Sequence, residues 1–386
     1  MGRHFLQIPG PSPEPDEVMR AISATTIDHR GPQFQQLGQR LLRDIRPVFG
    51  TTNPVIIYSS SGTGAWEGAL VNTLSPGDRV IFFETGHFAS LWHEMATRLG
   101  LAPEVIPSDW RHGVDAEEVG RQLEQDADRE IKAVCVVHNE TSTGVTSDIA
   151  AVRRAMDAVG HPALLLVDTI SGLGSADYRH DEWGVDVTVS GSQKGLMLPP
   201  GLGFNAVSDK ALEASRTSGF PRSYWDWAPI LASNETGFWP TTPSTNLLFG
   251  LEVVLRMLEE EGLPQVFARH ERLARATRAA VRAWGLELLC LDEDVYSPVL
   301  TAVLMPEGHS GDAFRKRVLE TFDMSLGSGL GRLADRVFRI GHLGWTNDLT
   351  LMGTLSGVQM GLRLAGVPVQ DDGVAAAMAV LEEEHA

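Results

Sequence analysis

The chain has 386 residues, 43% of them hydrophobic and 21% charged, an ordinary balance for a globular protein long enough for two domains. Lys and Arg total 32 against 50 Asp and Glu, a formal net charge of −18. That excludes the basic surface needed for non-specific nucleic-acid binding, and it disfavours docking on anionic membranes. No apolar stretch approaches the ~18–20 residues of a membrane span. The first residues, MGRHFLQIPGPSPEP, hold no apolar signal core. Cys135 lies inside an apolar run and neither it nor Cys290 belongs to a CxxC pair, so no disulfide framework is expected. A reducing, cytoplasmic setting is the expectation.

In chain order, the first two-thirds alternates short β-rich runs with helical stretches. The runs are Val55–Tyr58, Val80–Phe83, Lys132–Val137, Leu164–Val167, Val185–Val189 and Phe204–Val207. Most are continuously apolar, as strands buried on both faces are. Trp66, Ala69, Leu70 and Leu74 recur at helical spacing after the first run. The β-α-β-α order predicts an α/β fold with a mostly parallel sheet. A turn-rich stretch follows from Arg216 to Ser244, then a helical region from about Asn246 to Trp284 that breaks near Gly262-Leu263-Pro264. The last third reads strand (Val299–Met305), helix (Asp312–Phe322), strand (Val337–His342) and helix (Asp348–Ala365), a smaller C-terminal α/β domain. The expected division is a large domain over residues 1–270, with residues 1–20 lining its site, and a small domain over 271–386.

Four local signals carry chemistry. Gly191-Ser192-Gln193-Lys194-Gly195 directly follows a predicted strand, where open α/β sheets place their ligands. Partial burial there would lower the lysine pKa and free the amine to attack a carbonyl. On its own the segment also reads as a solvated loop. Asp168 closes an all-apolar strand 26 residues earlier; a carboxylate there is costly unless paired or functional, although a turn or helix cap also takes Asp. Neighbouring strand ends carrying this acid and this amine would suit a ring held by its nitrogen and its aldehyde, the arrangement of pyridoxal phosphate. Ser60-Ser61-Gly62-Thr63-Gly64 opens a helix and could cradle an anion on backbone N–H groups, although the pattern is equally ordinary N-cap chemistry. Arg339, within Phe338-Arg-Ile-Gly-His342, needs an anionic partner if it faces inward; on a solvent face it needs none.

These motifs together, in this order, resemble the class V aminotransferases, and among them the serine–glyoxylate and alanine–glyoxylate enzymes. The resemblance runs nearly end to end. It includes Pro9-Gly-Pro-Ser12, Ile27-Asp-His-Arg30, Ser61-Gly-Thr-Gly64, His138-Asn-Glu-Thr-Ser-Thr-Gly144 and Val167-Asp168 with Ile170-Ser171. It continues through Gly191-Ser-Gln-Lys-Gly195, Leu198-Pro-Pro-Gly201 and Phe338-Arg-Ile-Gly-His342.

The resemblance implies the pyridoxal-phosphate transferase fold of type I and a ping-pong transamination in which L-serine, or a similar amino acid, donates to glyoxylate. Lys194 would carry the cofactor as a Schiff base and shuttle the proton. Asp168 would pair with the pyridine nitrogen. Ser61, Gly62, Thr63 and Gln193 would hold the phosphate, Thr141 the ring hydroxyl region, and Ile170 and Phe88 the two ring faces. Arg339 would clamp the substrate carboxylate, beside Gly10 and Pro11. In a homodimer, Trp239 and Thr242 of the segment Trp239-Pro-Thr-Thr-Pro243 would complete the phosphate site of the other copy. Thr241 stands where serine–glyoxylate relatives carry Tyr. His138 and His342 are expected to be supporting residues. A dicarboxylate donor such as aspartate or 3-hydroxyaspartate would want a second cation, such as Arg222 or Arg30, and alanine is a further rival.

Other chemistries fit worse. A cysteine desulfurase needs a mobile loop cysteine, a dinucleotide-dependent dehydrogenase a G-x-G-x-x-G after the first strand, and a metal hydrolase paired histidines. Gly327-Ser-Gly-Leu-Gly331 has the wrong spacing, and His93-Glu94 has no second His four residues after the first. No metal site is expected. A non-catalytic cofactor-binding scaffold would have little need for both Lys194 and Arg339.

Overall fold

A computed structural model describes residues 4–383. Its strands, in chain order, are β1 (Phe5–Gln7), β2 (Val55–Tyr58), β3 (Arg79–Glu84), β4 (Ala102–Pro107) and β5 (Ile131–Val137). Then come the two-residue strands β6 (Asn139–Glu140) and β7 (Val145–Thr146), followed by β8 (Leu164–Asp168), β9 (Val187–Gly191) and β10 (Gly203–Val207). The last four are β11 (Glu287–Leu288), β12 (Leu300–Leu304), β13 (Met324–Ser328) and β14 (Val337–Gly341).

Seven of these form one sheet in the order β2-β10-β9-β8-β5-β3-β4. Only β10 runs against its neighbours. Alternate residues of one strand enter opposite cores. Ile81 and Phe83 pack on one side and Val80 and Phe82 on the other; Leu165 and Val167 likewise oppose Leu164 and Leu166. A sheet covered by helices on both faces needs apolar residues at every position, which is why the strand runs are continuous in the sequence. β9 starts and ends two residues later than its apolar run, because Ser190 and Gly191 pair with Phe204 and Gly203. β4 is an edge strand with mostly exposed side chains, so no apolar run marks it.

A second sheet has the order β1-β13-β14-β12-β11. Phe5–Gln7 pairs in parallel with Met324–Leu326, so the start of the chain is held by the C-terminal sheet. The helices Thr245–Glu261 and Leu263–Ala283 join the two parts, with Gly262 between them at φ +83°. A third helix, Trp227–Asn234, lies inside the stretch that reads as turns. No helix of the described residues is long and apolar enough to cross a membrane.

The fold brings five strand ends to one edge. β2, β3, β5, β8 and β9 are parallel to one another, so their carboxyl ends lie together, where open α/β sheets bind ligands. Ser61–Gly64, Gly86–Phe88, Asn139–Thr141, Asp168–Ile170 and Gln193–Lys194 all follow these ends.

Candidate active site

A cavity of about 440 Å3 opens at that edge. Gly62, Thr63, Phe88, Thr141, Asp168, Ile170, Gln193 and Lys194 line it, eight of the residues singled out in the sequence. Trp66, Glu67 and Asn139 also line it, and its outer end runs between the helices Gly62–Thr73 and His87–Arg98 past Leu91, Met95 and Arg98.

Lys194 is 7% exposed. Its Nζ donates to the Pro9 carbonyl at 2.5 Å. Burial, and then the positive charge of Arg339, pull its pKa down to about 8, with Asp168 opposing. Asp168 is 3% exposed and accepts from the Ile170 amide at 2.6 Å and the Trp66 indole at 3.0 Å. Burial raises its carboxyl to about 7, the Ile170 hydrogen bond opposing. An amine and a carboxyl of nearly equal pKa therefore face one cavity. A cationic nitrogen brought beside Asp168 would restore its charge.

The rim presents the N-terminus of a helix to the cavity. Ser61 caps the helix Gly62–Thr73, accepting from the Gly64 amide at 3.4 Å. The first N–H groups of a helix lack acceptors within their own helix and face an anion at the positive end of the dipole. A side chain at Gly62 would place its Cβ 2.5 Å from Ile170 Cδ1, so the glycine lets Ile170 lie against this turn. The Gln193 Oε1 is buried without a hydrogen-bond partner among the described residues.

Arg339 sits on β14, 6% exposed, outside the lining of this cavity. Its Nε and one Nη donate to the carbonyls of Ser328 and Thr141, at 2.7 and 2.6 Å. Among the described residues no carboxylate pairs with it, and burial lowers its pKa to about 10. Gly10 and Pro11 reach the site on the loop after β1. A Cβ on Gly10 would lie 2.3 Å from Lys194 Cδ. Ser12 ties the same loop down, its Oγ donating to the Lys194 carbonyl at 2.7 Å.

Several sequence candidates lie elsewhere in this chain. Trp239 donates to the Ile57 carbonyl at 2.8 Å and packs edge-on against Phe34; Thr242 is exposed, and neither lines the cavity. Arg222 donates to the Ser215 carbonyl and Arg30 is exposed, so neither brings a second cation to the cavity. His342 is buried between Thr301 and the Pro298 carbonyl, and His138 packs at a tilt against Tyr178 and Trp183. Cys135 and Cys290 are buried away from the cavity, and burial raises both thiols. The sequence reading missed the contact of Trp66 with Asp168, because its helical spacing placed Trp66 only on an apolar face. It also passed over Glu140, whose motif it had quoted.

The model of the family described as aminotransferase class V matches residues 4–315. The serine–glyoxylate aminotransferase of Arabidopsis thaliana is 47% identical over 99% of this chain and 96% of its own. The L-aspartate–glyoxylate aminotransferase of Paracoccus denitrificans is 45% identical over 96% and 94%. The crystal structure of ureidoglycine–glyoxylate aminotransferase from Bacillus subtilis superposes with a TM-score of 0.91 at 26% identity, covering 99% of both chains. With a mostly parallel seven-stranded sheet, a smaller C-terminal sheet and a lysine and an aspartate at adjoining strand ends, the fold is that of the type I pyridoxal-phosphate transferases, and the chain belongs to the class V aminotransferase family.

Proposed function

We propose that this transaminase moves the amino group of L-serine to glyoxylate, giving glycine and a 2-oxo acid by a ping-pong cycle on pyridoxal phosphate. The observation that carries the site assignment is the buried pair at the cavity, Lys194 with its lowered pKa and Asp168 with its raised one. The cavity's residues fit the cofactor. The amine and the carboxyl suit an aldehyde and a pyridine nitrogen, and the start of the helix Gly62–Thr73 offers backbone N–H groups to a phosphate.

Bound pyridoxal phosphate supplies an electron sink for charge developing at the donor's α-carbon. Lys194 would hold it through Nζ, and its amine would take the α-proton and return it, a role matched to a pKa near the working pH. Asp168, fixed by Ile170 and Trp66, keeps the ring nitrogen protonated. Ser61, Gly62, Thr63 and Gln193 would hold the phosphate, Thr141 the ring hydroxyl region, and Phe88 and Ile170 the ring faces. Arg339 would bind the substrate carboxylate, beside Gly10 and Pro11.

The serine reading rests on the 47% identical relative and on the absence, among the described residues, of a second arginine near Lys194: the one described arginine that lines the cavity, Arg98, lies at its outer end and pairs with Glu94. The 45% identical aspartate relative keeps a dicarboxylate donor as the alternative. We also propose a cytoplasmic homodimer in which Trp239 and Thr242 serve the partner's phosphate site, since Thr242 is exposed in its own chain. For the two domains we retain a division near residue 270. Val266 packs in the core of the large sheet and Leu273 in that of the small one, within a single helix.

The test mixes cofactor-loaded protein with L-serine, L-alanine, L-aspartate and 3-hydroxyaspartate separately. Loss of the visible band, reversed by glyoxylate and fastest with serine, supports the assignment. A dicarboxylate reacting fastest moves it to the alternative. No change with any donor overturns it.

A further inference from the structure

Glu140 is a fully buried carboxylate at the edge of the site, and the mechanism above does not use it. It follows β5 by three residues. Its Oε1 accepts from the Phe88 amide at 3.4 Å, from the Ser142 amide at 3.0 Å and from the Ser142 hydroxyl at 2.6 Å. Its Oε2 accepts from the Ala89 amide at 3.2 Å. The Ser142 Oγ accepts in turn from the His87 amide at 2.9 Å.

Glu140 and Ser142 therefore hold three consecutive N–H groups, those of His87, Phe88 and Ala89. These open the helix His87–Arg98, and a helix ordinarily needs a side chain of its own N-cap there. Its N-cap is Gly86, which has none. A Cβ at Gly86 would lie 2.3 Å from Glu140 Cγ and 2.5 Å from Ser142 Oγ, so the space of the missing cap is filled by residues from another strand end. The capping is delegated across the site.

That delegation has a functional consequence. Phe88 lines the cavity, and its backbone is fixed by Glu140. Thr141, between the two capping residues, offers the carbonyl that receives Arg339 at 2.6 Å. The aromatic on one side of the cavity and the guanidinium from the small sheet are thus registered to one three-residue unit. A purely structural cap would need neither connection.

We propose that Glu140 is a positioning residue, which sets the Phe88 ring against the cofactor and, through the Thr141 carbonyl, aims Arg339 at the substrate carboxylate. Its role rests on the cofactor assignment made above, and it acts through these neighbours without touching the reacting atoms. The charge of Glu140 also supports that of Arg339, opposing the effect of burial.

The experiment compares wild type with Glu140→Ala, Glu140→Gln and Ser142→Ala. It reads the dissociation constant of pyridoxal phosphate, the visible circular dichroism of the bound cofactor, and KM and kcat separately. In Glu140→Ala we expect weaker cofactor binding, an altered dichroic band and a donor KM raised roughly tenfold, since small misplacements of positioning groups carry losses of this order. Glu140→Gln retains an acceptor oxygen for Phe88 and Ser142 but loses the charge and the acceptor of the Ala89 amide, and should recover most of the dichroism and only part of KM. If Glu140→Ala does not fold, Ser142→Ala serves in its place, with a smaller shift of both quantities in the same direction. The proposal is overturned if the folded variants keep the cofactor constant, the dichroism and KM within about twofold of wild type, whatever their melting temperature. A wild type that binds the cofactor but leaves every donor unchanged would sink the proposed reaction alone, because the affinity and dichroism would still report on Glu140.

Discussion

The Lys194 amine donates to the Pro9 carbonyl at 2.5 Å, across 185 positions of sequence. The contact exists because β1 is stitched into the C-terminal sheet, which delivers the loop of Pro9 and Gly10 over the lysine. Gly10 is at φ +103°, and its Cβ would meet both Lys194 Cδ and Nζ. Gly10→Ala should therefore lower cofactor loading and activity by more than about tenfold and destabilise the chain by roughly 1–2 kcal/mol. Gly77→Ala separates the two effects: φ is +87° there with nothing within 4 Å, so strain appears without collision. Melting curves and cofactor titrations of both variants check this. Unchanged loading in Gly10→Ala would refute the contact's importance.

Lys194 and Arg339 repel. The pKa of Lys194 stands at about 8, lowered first by burial and then by Arg339. The amine must lose its proton before it attacks an aldehyde, so cofactor uptake by the free protein should accelerate with pH through about 8 rather than near the ordinary lysine value. Arg339→Gln removes the positive neighbour. We expect the midpoint of the uptake profile to move upward and the donor KM to rise on the order of a hundredfold, the scale of a lost charged contact. Stopped-flow uptake across pH gives both profiles. A midpoint that stays put would mean that burial alone sets the lysine.

Asp168 carries a pH-dependent cost in the cofactor-free chain. Its folded carboxyl titrates at about 7, against about 3.9 when unfolded. The folded state binds the proton more tightly, so this group's contribution to stability is fully present below about pH 4 and is lost as pH rises through about 7. Asp168→Asn should thus stabilise the cofactor-free protein above pH 7, on the order of 1–3 kcal/mol after allowing for a weakened bond to Trp66 or Ile170, with the gain vanishing toward pH 4. The same substitution should reduce transamination roughly a thousandfold, since an amide cannot hold the ring nitrogen protonated. Denaturant melts at pH 5 and 8 decide the first point. A variant less stable than wild type at both would contradict it.

Lys194→Ala removes the only amine that lines the cavity among the described residues. Reduction with borohydride should fix pyridoxal phosphate on the peptide containing Lys194 in wild type and leave the variant unlabelled. Activity should fall by at least about a thousandfold. Peptide mass spectrometry reads the label, and a modified peptide elsewhere in the chain would move the attachment site.

Much of this was legible in the sequence. Continuous apolar runs located six strands of the large sheet, because burial on both faces leaves one composition possible. Gly262 marked the break between the two long helices. The strand ends at Asp168 and Gln193–Lys194 stood out because a charge beside an apolar run is costly unless it is used. What stayed hidden lacks a periodic signature. β4 is exposed along an edge, β1 is three residues long, and β13 (Met-Ser-Leu-Gly-Ser) carries too few apolar residues to announce itself.

By itself, then, the sequence determined the α/β class and the order of the elements, because local propensity and burial act on neighbours along the chain, and it put forward the amine, the acid and the arginine through motifs that resemble a known family. Only the tertiary structure decided which distant residues share a cavity. It brought Pro9 to Lys194, Trp66 to Asp168 and the Thr141 carbonyl to Arg339, and it moved the capping of the helix at His87 onto Glu140 and Ser142. The physical reason is that each of these contacts joins groups on separate strand ends or separate sheets. Their geometry is set by how the sheets twist and pack, which no pattern within a single segment encodes.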